Sequence, residues 1–185
     1  MRDGMIDLET WGQYAPCALR SVAVVQFDPY SDKVGDRFYA NVTKESCLEI
    51  GLMIDPKTEA WWAQPKMSGA AAVLGKDQIS VRDAMNRMCI FWRKCSLKYP
   101  WSQGANFDQP IIEEVMRRLG IEPPWKFWDS ACTRTAYRMS GLNVFNFKNK
   151  GIPHYALDDC LHQIGLVQMS HRKLGLHGSA ATKEN

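Results

Sequence analysis

The chain has 185 residues, of which 45% are hydrophobic and 23% charged, and its formal net charge is +3. That composition fits one globular domain with a substantial core and excludes a disordered polyelectrolyte. No apolar run reaches the ~20 residues a membrane helix needs, and the mild positive charge admits an anionic partner without demanding one.

The first element is a strand from Gly4 to Leu8, inside Met5-Ile6-Asp7-Leu8-Glu9-Thr10, with no apolar leader ahead of it. Side chains alternate along a strand, so Asp7 and Glu9 share one face and Ile6 and Leu8 the other. Like charges side by side on an apolar strand repel, and desolvation adds to the cost. A hard divalent cation would offset both, because it takes oxygen ligands and brings opposite charge. The competing structural reading is a pair of solvated acids on an edge strand.

Ser21 to Phe27 is β-branched and stops at the turn signal Asp28-Pro29, and Arg37 to Val42 is read as a third strand. Their short connections predict an antiparallel meander. Cys47 to Met53 and Thr58 to Trp62 are read as short helices around Asp55-Pro56. Ser80 to Lys98 is read as a longer amphipathic helix, capped by Ser80, with Val81, Ala84, Met85, Met88, Phe91, Trp92 and Cys95 at helical spacing.

Pro100 is expected to break the chain, and Trp101 to Ala105 fits a strand. Ile111, Ile112, Val115, Met116 and Leu119 then repeat at helical spacing, with Gly120 as C-cap. Lys126 to Asp129 is read as a short strand, Ala131 to Met139 as a helix, and Gly141 to Pro153 as a loop. A last helix begins near Tyr155, with Leu157, Leu161, Ile164 and Gln168 on one stripe. The whole predicts a mixed α/β sheet flanked by helices, in one domain over 1–174, with a disordered tail over 175–185. Six scattered cysteines (Cys17, Cys47, Cys89, Cys95, Cys132, Cys160) form no CxxC pair, which predicts reduced thiols in a cytoplasmic protein.

Three further positions carry acids or a base. Asp108 stands where a strand hands over to a helix, next to free backbone N–H groups. Asp158 and Asp159 fall in the first turn of the last helix. His154 lies five residues before Asp159, which places it on the preceding loop beside Pro153. Taken singly, Asp108 reads as a helix-cap residue, Asp158 and Asp159 as partners of the helix dipole, and His154 as a structural histidine.

Taken as an ordered set, Asp7-Leu8-Glu9-Thr10, Asn106-Phe107-Asp108 and His154-Tyr155-Ala156-Leu157-Asp158-Asp159 resemble the three exonuclease motifs of the DEDDh family. That family lies in the ribonuclease T and DnaQ-like superfamily, which has a ribonuclease H-like fold. His154, Ala156 and Asp159 match the third motif, which leaves Asp158 as a neighbour. Glu59-Ala60-Trp61-Trp62, Lys126-Phe127-Trp128-Asp129 and Arg134-Thr135 resemble segments of a phage and bacterial branch, that of the phage exonuclease A type and the mycobacterial-type exoribonucleases. The likeness reaches to about Arg172.

The resemblance implies a metal-dependent 3′–5′ exonuclease that releases nucleoside 5′-monophosphates from single-stranded or 3′-overhanging RNA or DNA. It implies two divalent ions, Mg²⁺ or Mn²⁺, held by Asp7, Glu9, Asp108 and Asp159, with Asp7 bridging. His154 would be the general base, an imidazole being the side chain that titrates near neutrality. The backbone around Leu8 and Thr10 would hold the terminal nucleotide, with Phe107 or Trp11 near a base or sugar. Arg134, Arg138, Lys148 and Lys150 are candidate phosphate contacts, or else a solvated charged surface. Phe107, Trp61, Trp62, Trp92 and Trp128 also have a plain reading as core residues. A homodimer and a phage origin are compatible with the branch, and no membrane association is expected. The alternatives are a silent nucleic-acid-binding module, a ribonuclease H-like endonuclease that needs no histidine there, and a structural or metal-storage protein.

Overall fold

The structure, a computed structural model, describes residues 1–104 and 106–177. Five strands among them form one mixed sheet: β1 (Asp3–Thr10), β2 (Leu19–Phe27), β3 (Val34–Asn41), β4 (Tyr99–Ser102) and β5 (Ala131–Cys132), in the order β3-β2-β1-β4-β5. The first three run antiparallel, and β4 and β5 run parallel to β1. The helices are α1 (Lys44–Glu49), α2 (Pro56–Trp62), α3 (Ser68–Leu74), α4 (Val81–Lys94), α5 (Asp108–Leu119), α6 (Thr133–Ser140) and α7 (Ala156–Lys173). This is the mixed, helix-flanked sheet that the sequence predicts.

Alternation on β1 and β2 feeds two cores. Ile6, Leu8, Val22 and Val24 pack against Met85, Met88 and Trp92 of α4 and Ile112 and Met116 of α5. Met5, Ala23, Val25 and Phe27 face the other way, against Tyr137 of α6 and Cys160, Ile164 and Val167 of α7. Burial on both faces is why Ser21–Phe27 reads as a nearly continuous apolar run. A third cluster, Trp62, Met67, Ala70 and Leu74, ties α2 to α3, with Trp11 and Trp61 packed on it.

Several elements differ from the sequence reading. The helix expected over Cys47–Met53 spans Lys44–Glu49, because Thr43 supplies the extended N-cap and Gly51 turns left-handed at φ +77°. The helix expected to reach Lys98 ends at Lys94, where Ser96 takes φ +51°; at its start, the Ser80 hydroxyl accepts from the Asp83 N–H as expected. Pro100 does not break the chain but lies inside β4, which begins two residues before the expected strand; Ala105 lies outside the described residues. Phe127–Asp129 is a 3₁₀ turn, and the pairing strand follows it as β5, so α6 starts at Thr133.

On α7 the buried face runs through Ala156, Cys160, Gln163, Ile164 and Val167, so Leu157 and Leu161 stand at its margin. Trp128 is 68% exposed and is not a core residue. The short 3₁₀ turn Pro65–Met67 and α3 have no counterpart in the sequence reading, their small residues giving little periodicity. Of the expected tail, residues 178–185 lie outside the described residues.

Gly4 lets the sheet approach α4: a Cβ there would stand 2.8 Å from the buried ring of Trp92 and 3.1 Å from Leu97. Gly4→Ala should therefore lower the urea midpoint by the equivalent of about 1–3 kcal/mol, the usual cost of overpacking a core. Equilibrium denaturation followed by tryptophan fluorescence measures it.

Candidate active site

β1 pairs with β4 only from Asp3 to Met5, while its pairing with β2 continues to Thr10. From Ile6 onward one edge of β1 therefore has no strand beside it. Such a fork between an antiparallel and a parallel neighbour, at the carboxyl end of a strand, is where open α/β sheets form their crevices. A cleft of about 560 Å³ opens there, and Asp7, Glu9, Asp108, His154 and Asp159 all line it.

The acids are delivered by one strand and two helix starts. Asp7 and Glu9 project from β1 on the face opposite Ile6 and Leu8. Asp108 opens α5, and its Oδ1 accepts the Leu8 N–H at 3.1 Å, taking up a backbone donor beyond the last residue of β1 paired with β4. The next residue, Gln109, fixes that helix start: its amide donates to Pro100 O at 3.1 Å and to Ser102 Oγ at 3.1 Å. Asp159 stands in the first turn of α7, which the second core clamps to the sheet.

Two of the acids are held by neutral side-chain amides. Gln163 donates to Asp7 Oδ1 at 2.7 Å, and Asn149 donates to Asp159 Oδ1 at 2.7 Å. The sequence reading misses both residues. Gln163 is four residues past Asp159 on α7, hence on the same helical face, which is a signal available in the sequence. Asn149 has no such signal, because a loop brings it in.

Burial shifts all four groups upward, and the charges of neighbouring carboxylates add to it at Asp7 and Glu9. The Asp7 carboxyl is held well above the usual range by burial first, then by the charges of Asp108, Glu9 and Asp159. Burial pushes Glu9 up to about 8, with Asp159 and Asp108 adding to it and Arg20 opposing. Asp108 is raised to about 7 by burial, against the Leu8 hydrogen bond and the charge of Arg134. Burial also raises Asp159, while Asn149 and His154 pull the other way.

His154 lies on the loop before α7, as expected, at φ +61°. A non-glycine residue pays roughly 1–2 kcal/mol there, so the surrounding structure must fix it. Trp61 packs edge-on against its ring at 4.9 Å between centroids, and Trp62 lies at 6.1 Å. Trp62 is anchored by its indole N–H to Thr10 O at 2.9 Å. One ring nitrogen of His154 and one carboxylate oxygen each of Glu9 and Asp159 lie within 4.8 Å of one another, a spacing that suits a metal ion.

Of the candidate substrate residues, Leu8, Thr10, Phe107 and Arg134 line the cleft. Trp11 does not. Its ring is covered by the Arg20 guanidinium at 4.2 Å and by the Lys44 ammonium at 4.4 Å, and Arg20 stacks on Trp62 as well at 4.1 Å. Trp61 and Trp62, which also read as core residues, line the cleft too. Arg138 is not among the lining residues. Lys148 and Lys150 line a neighbouring groove, with Asp158 beside them.

A mixed five-stranded sheet flanked by helices is the ribonuclease H-like α/β architecture, and solved DEDDh nucleases share it. The nuclease domain of 3′hExo, a DEDDh family member, bound to rAMP, superposes with a TM-score of 0.65 at 11% identity, covering 95% of this chain and 94% of that one. A 3′-exonuclease that recognises the histone mRNA stem-loop gives 0.64 at 13% identity, covering 95% and 83%. In sequence, an exodeoxyribonuclease of Enterobacteria phage T4 is 22% identical over 220 positions, covering 100% of this chain and 96% of its own. A family model described as the Rv2179c-like 3′-5′ exoribonuclease domain matches residues 2–171, and the chain belongs to that family. It is a 3′–5′ exonuclease of the DEDDh type. No helix among the described residues is long and apolar enough to cross a membrane.

The raised carboxyls carry a sign. Glu9 and Asp108 titrate near 8 and 7 in the fold, against about 4 when unfolded. Between those values the folded state binds more protons than the unfolded one, so stability falls as pH rises. Their favourable contribution is complete below about pH 4 and lost by about pH 8. The melting temperature of chelator-treated protein should therefore decline from pH 5 to pH 8, and Asp7→Asn should flatten the decline. Differential scanning fluorimetry across that range checks it.

Proposed function

We propose that this chain removes nucleoside 5′-monophosphates one at a time from the free 3′ end of single-stranded or 3′-overhanging nucleic acid. The observation that carries the reading is the convergence of Asp7, Glu9, Asp108 and Asp159 on one cleft, where burial raises all four and the charges of their neighbours raise Asp7 and Glu9 further. Oxygen donors that repel one another in this way fit hard divalent cations, which can replace the protons. These four acids would hold two Mg²⁺ or Mn²⁺ ions. Bound ions supply a Lewis acid for the scissile phosphate and a more acidic attacking water.

The chain's own groups do the rest. His154, exposed at the cleft mouth and set against Trp61, accepts the proton from the attacking water. A bond forms from that water to phosphorus, the bond to the 3′ oxygen of the penultimate nucleotide breaks, and solvent protonates the leaving oxygen. Phe107 and the backbone of Leu8 and Thr10 hold the terminal nucleotide, and exposed Arg134 faces its phosphate. Gln163 and Asn149 keep the carboxylates of Asp7 and Asp159 aimed into the cleft.

Two observations bear on the sugar. The family description supports RNA, and the name of the phage relative, which spans the whole chain, supports DNA. Matched RNA and DNA oligonucleotides of one sequence, assayed with Mg²⁺ and with Mn²⁺, measure the preference directly.

Either metal should raise the melting temperature by mass action, since it binds the folded acids and not the unfolded chain. Asp7→Asn should remove most of that rise together with turnover. His154→Ala should keep the thermal response and lose on the order of 10²- to 10⁴-fold in kcat, the usual worth of a general base. A His154→Ala protein that loses the thermal response would make His154 a metal ligand, and one that stays fully active would end its role as base.

A further inference from the structure

The loop from Asn146 to Gly151 and the adjoining face of α7 line a second groove of about 860 Å³. It adjoins the catalytic cleft: His162 lines both, and Asn149, a groove residue, donates to Asp159. Lys148 and Lys150 line it, and neither forms an ion pair among the described residues. Phe147 lines it as well, and Phe145, two residues earlier, is 92% exposed. Along α7, Gly165 leaves the groove open, with nothing within 4 Å of where its Cβ would stand.

Among the described residues, the one acid lining this groove, Asp158, has an oxygen engaged by the backbone. Asp158 Oδ2 accepts the Ile152 N–H at 2.8 Å. Gly151 packs so closely on it that a Cβ there would sit 2.4 Å from that oxygen. Two exposed ammonium groups, with no ion pair among the described residues, outnumber that single carboxylate and stand beside exposed aromatic rings. That pairing suits a single-stranded nucleic acid, whose phosphates need point charges and whose bases stack on aromatic faces without regard to sequence.

A strand whose 3′ end lies among the carboxylates must leave the cleft as a polyanion. We propose that it leaves along this groove, with phosphates upstream of the scissile bond on Lys148 and Lys150 and a base against Phe145 or Phe147. The proposal rests on the reading of the neighbouring cleft as the exonuclease centre. The acids handle only the terminal nucleotide, and the loop supplies grip on longer substrates.

The test compares a dinucleotide with a dodecanucleotide on the wild type, on Lys148→Ala with Lys150→Ala, and on Phe145→Ala with Phe147→Ala. KM for the dodecanucleotide should rise on the order of tenfold in each double variant, the scale of removing one base–aromatic stack or its equivalent on the backbone. Hydrolysis of the dinucleotide should be unchanged. In the lysine variant the fall of log(kcat/KM) with log[salt] should be shallower by about 1.4, at ~0.7 for each phosphate that no longer meets an ammonium group. Lys148→Arg with Lys150→Arg should retain both properties. An unchanged KM on the long strand, or an equal loss on the dinucleotide, overturns the track. A wild type inert on both substrates with either metal overturns the exonuclease reading itself.

Discussion

Mutual repulsion among buried carboxylates is the constraint around which this molecule is organised. Four acids from separate parts of the chain meet where β1 outruns β4, in a cleft that burial makes costly for charge. The fold holds them there with apolar contacts on both faces of the sheet. Met5 and Cys160 lie in the core under Asp7 and Asp159, and Ile6 and Leu8 anchor the same strand on the opposite side. The energy that keeps like charges together comes from the residues that alternate with them.

The supports of the acids differ in kind from those of the histidine. The acids sit on a strand and on two helix starts, and Asp7, Asp108 and Asp159 are each pinned by a backbone or amide hydrogen bond. His154 sits on a loop, exposed, held at a left-handed backbone angle with Trp61 against its ring. Rigid acids suit the fixed spacing that metal coordination requires, and an accessible imidazole suits a group that must exchange protons with water. Arg20, stacked between Trp11 and Trp62 and brought down to about 10 by burial, adds a positive charge that favours ionised Glu9 from behind the cleft. The same two indoles join the cleft wall to the cluster that holds α2 against α3.

Wherever periodicity is strong, the sequence is legible. The meander, the Ser80 cap, the α5 stripe ending at Gly120 and the loop position of His154 all follow from spacing and cap chemistry. Elements that depend on partners are not. β5 is two residues long and exists because β4 lies beside it, and Pro100 is tolerated inside β4 at the one short stretch that pairs with the start of β1. The face of α7 is hidden because Leu157 and Leu161 look apolar in isolation, whereas the sheet selects Ala156, Cys160 and Gln163 for close approach.

The sequence by itself determined which residues are the candidates for chemistry: paired acids on a strand, a third acid opening a helix, and a histidine five residues before a fourth. Those identities are local, set by side-chain alternation and helix-end chemistry. Only the tertiary structure decided what stands around them. It brought in Gln163 and Asn149 as partners, turned Trp61 toward His154, withdrew Trp11 beneath Arg20 and aligned the basic loop with a groove. Whether the partners are 156 positions apart, as Gln163 and Asp7 are, or only 10, as Asn149 and Asp159 are, the contact is fixed by how helices and loops pack on the sheet, and no short window of sequence records that packing.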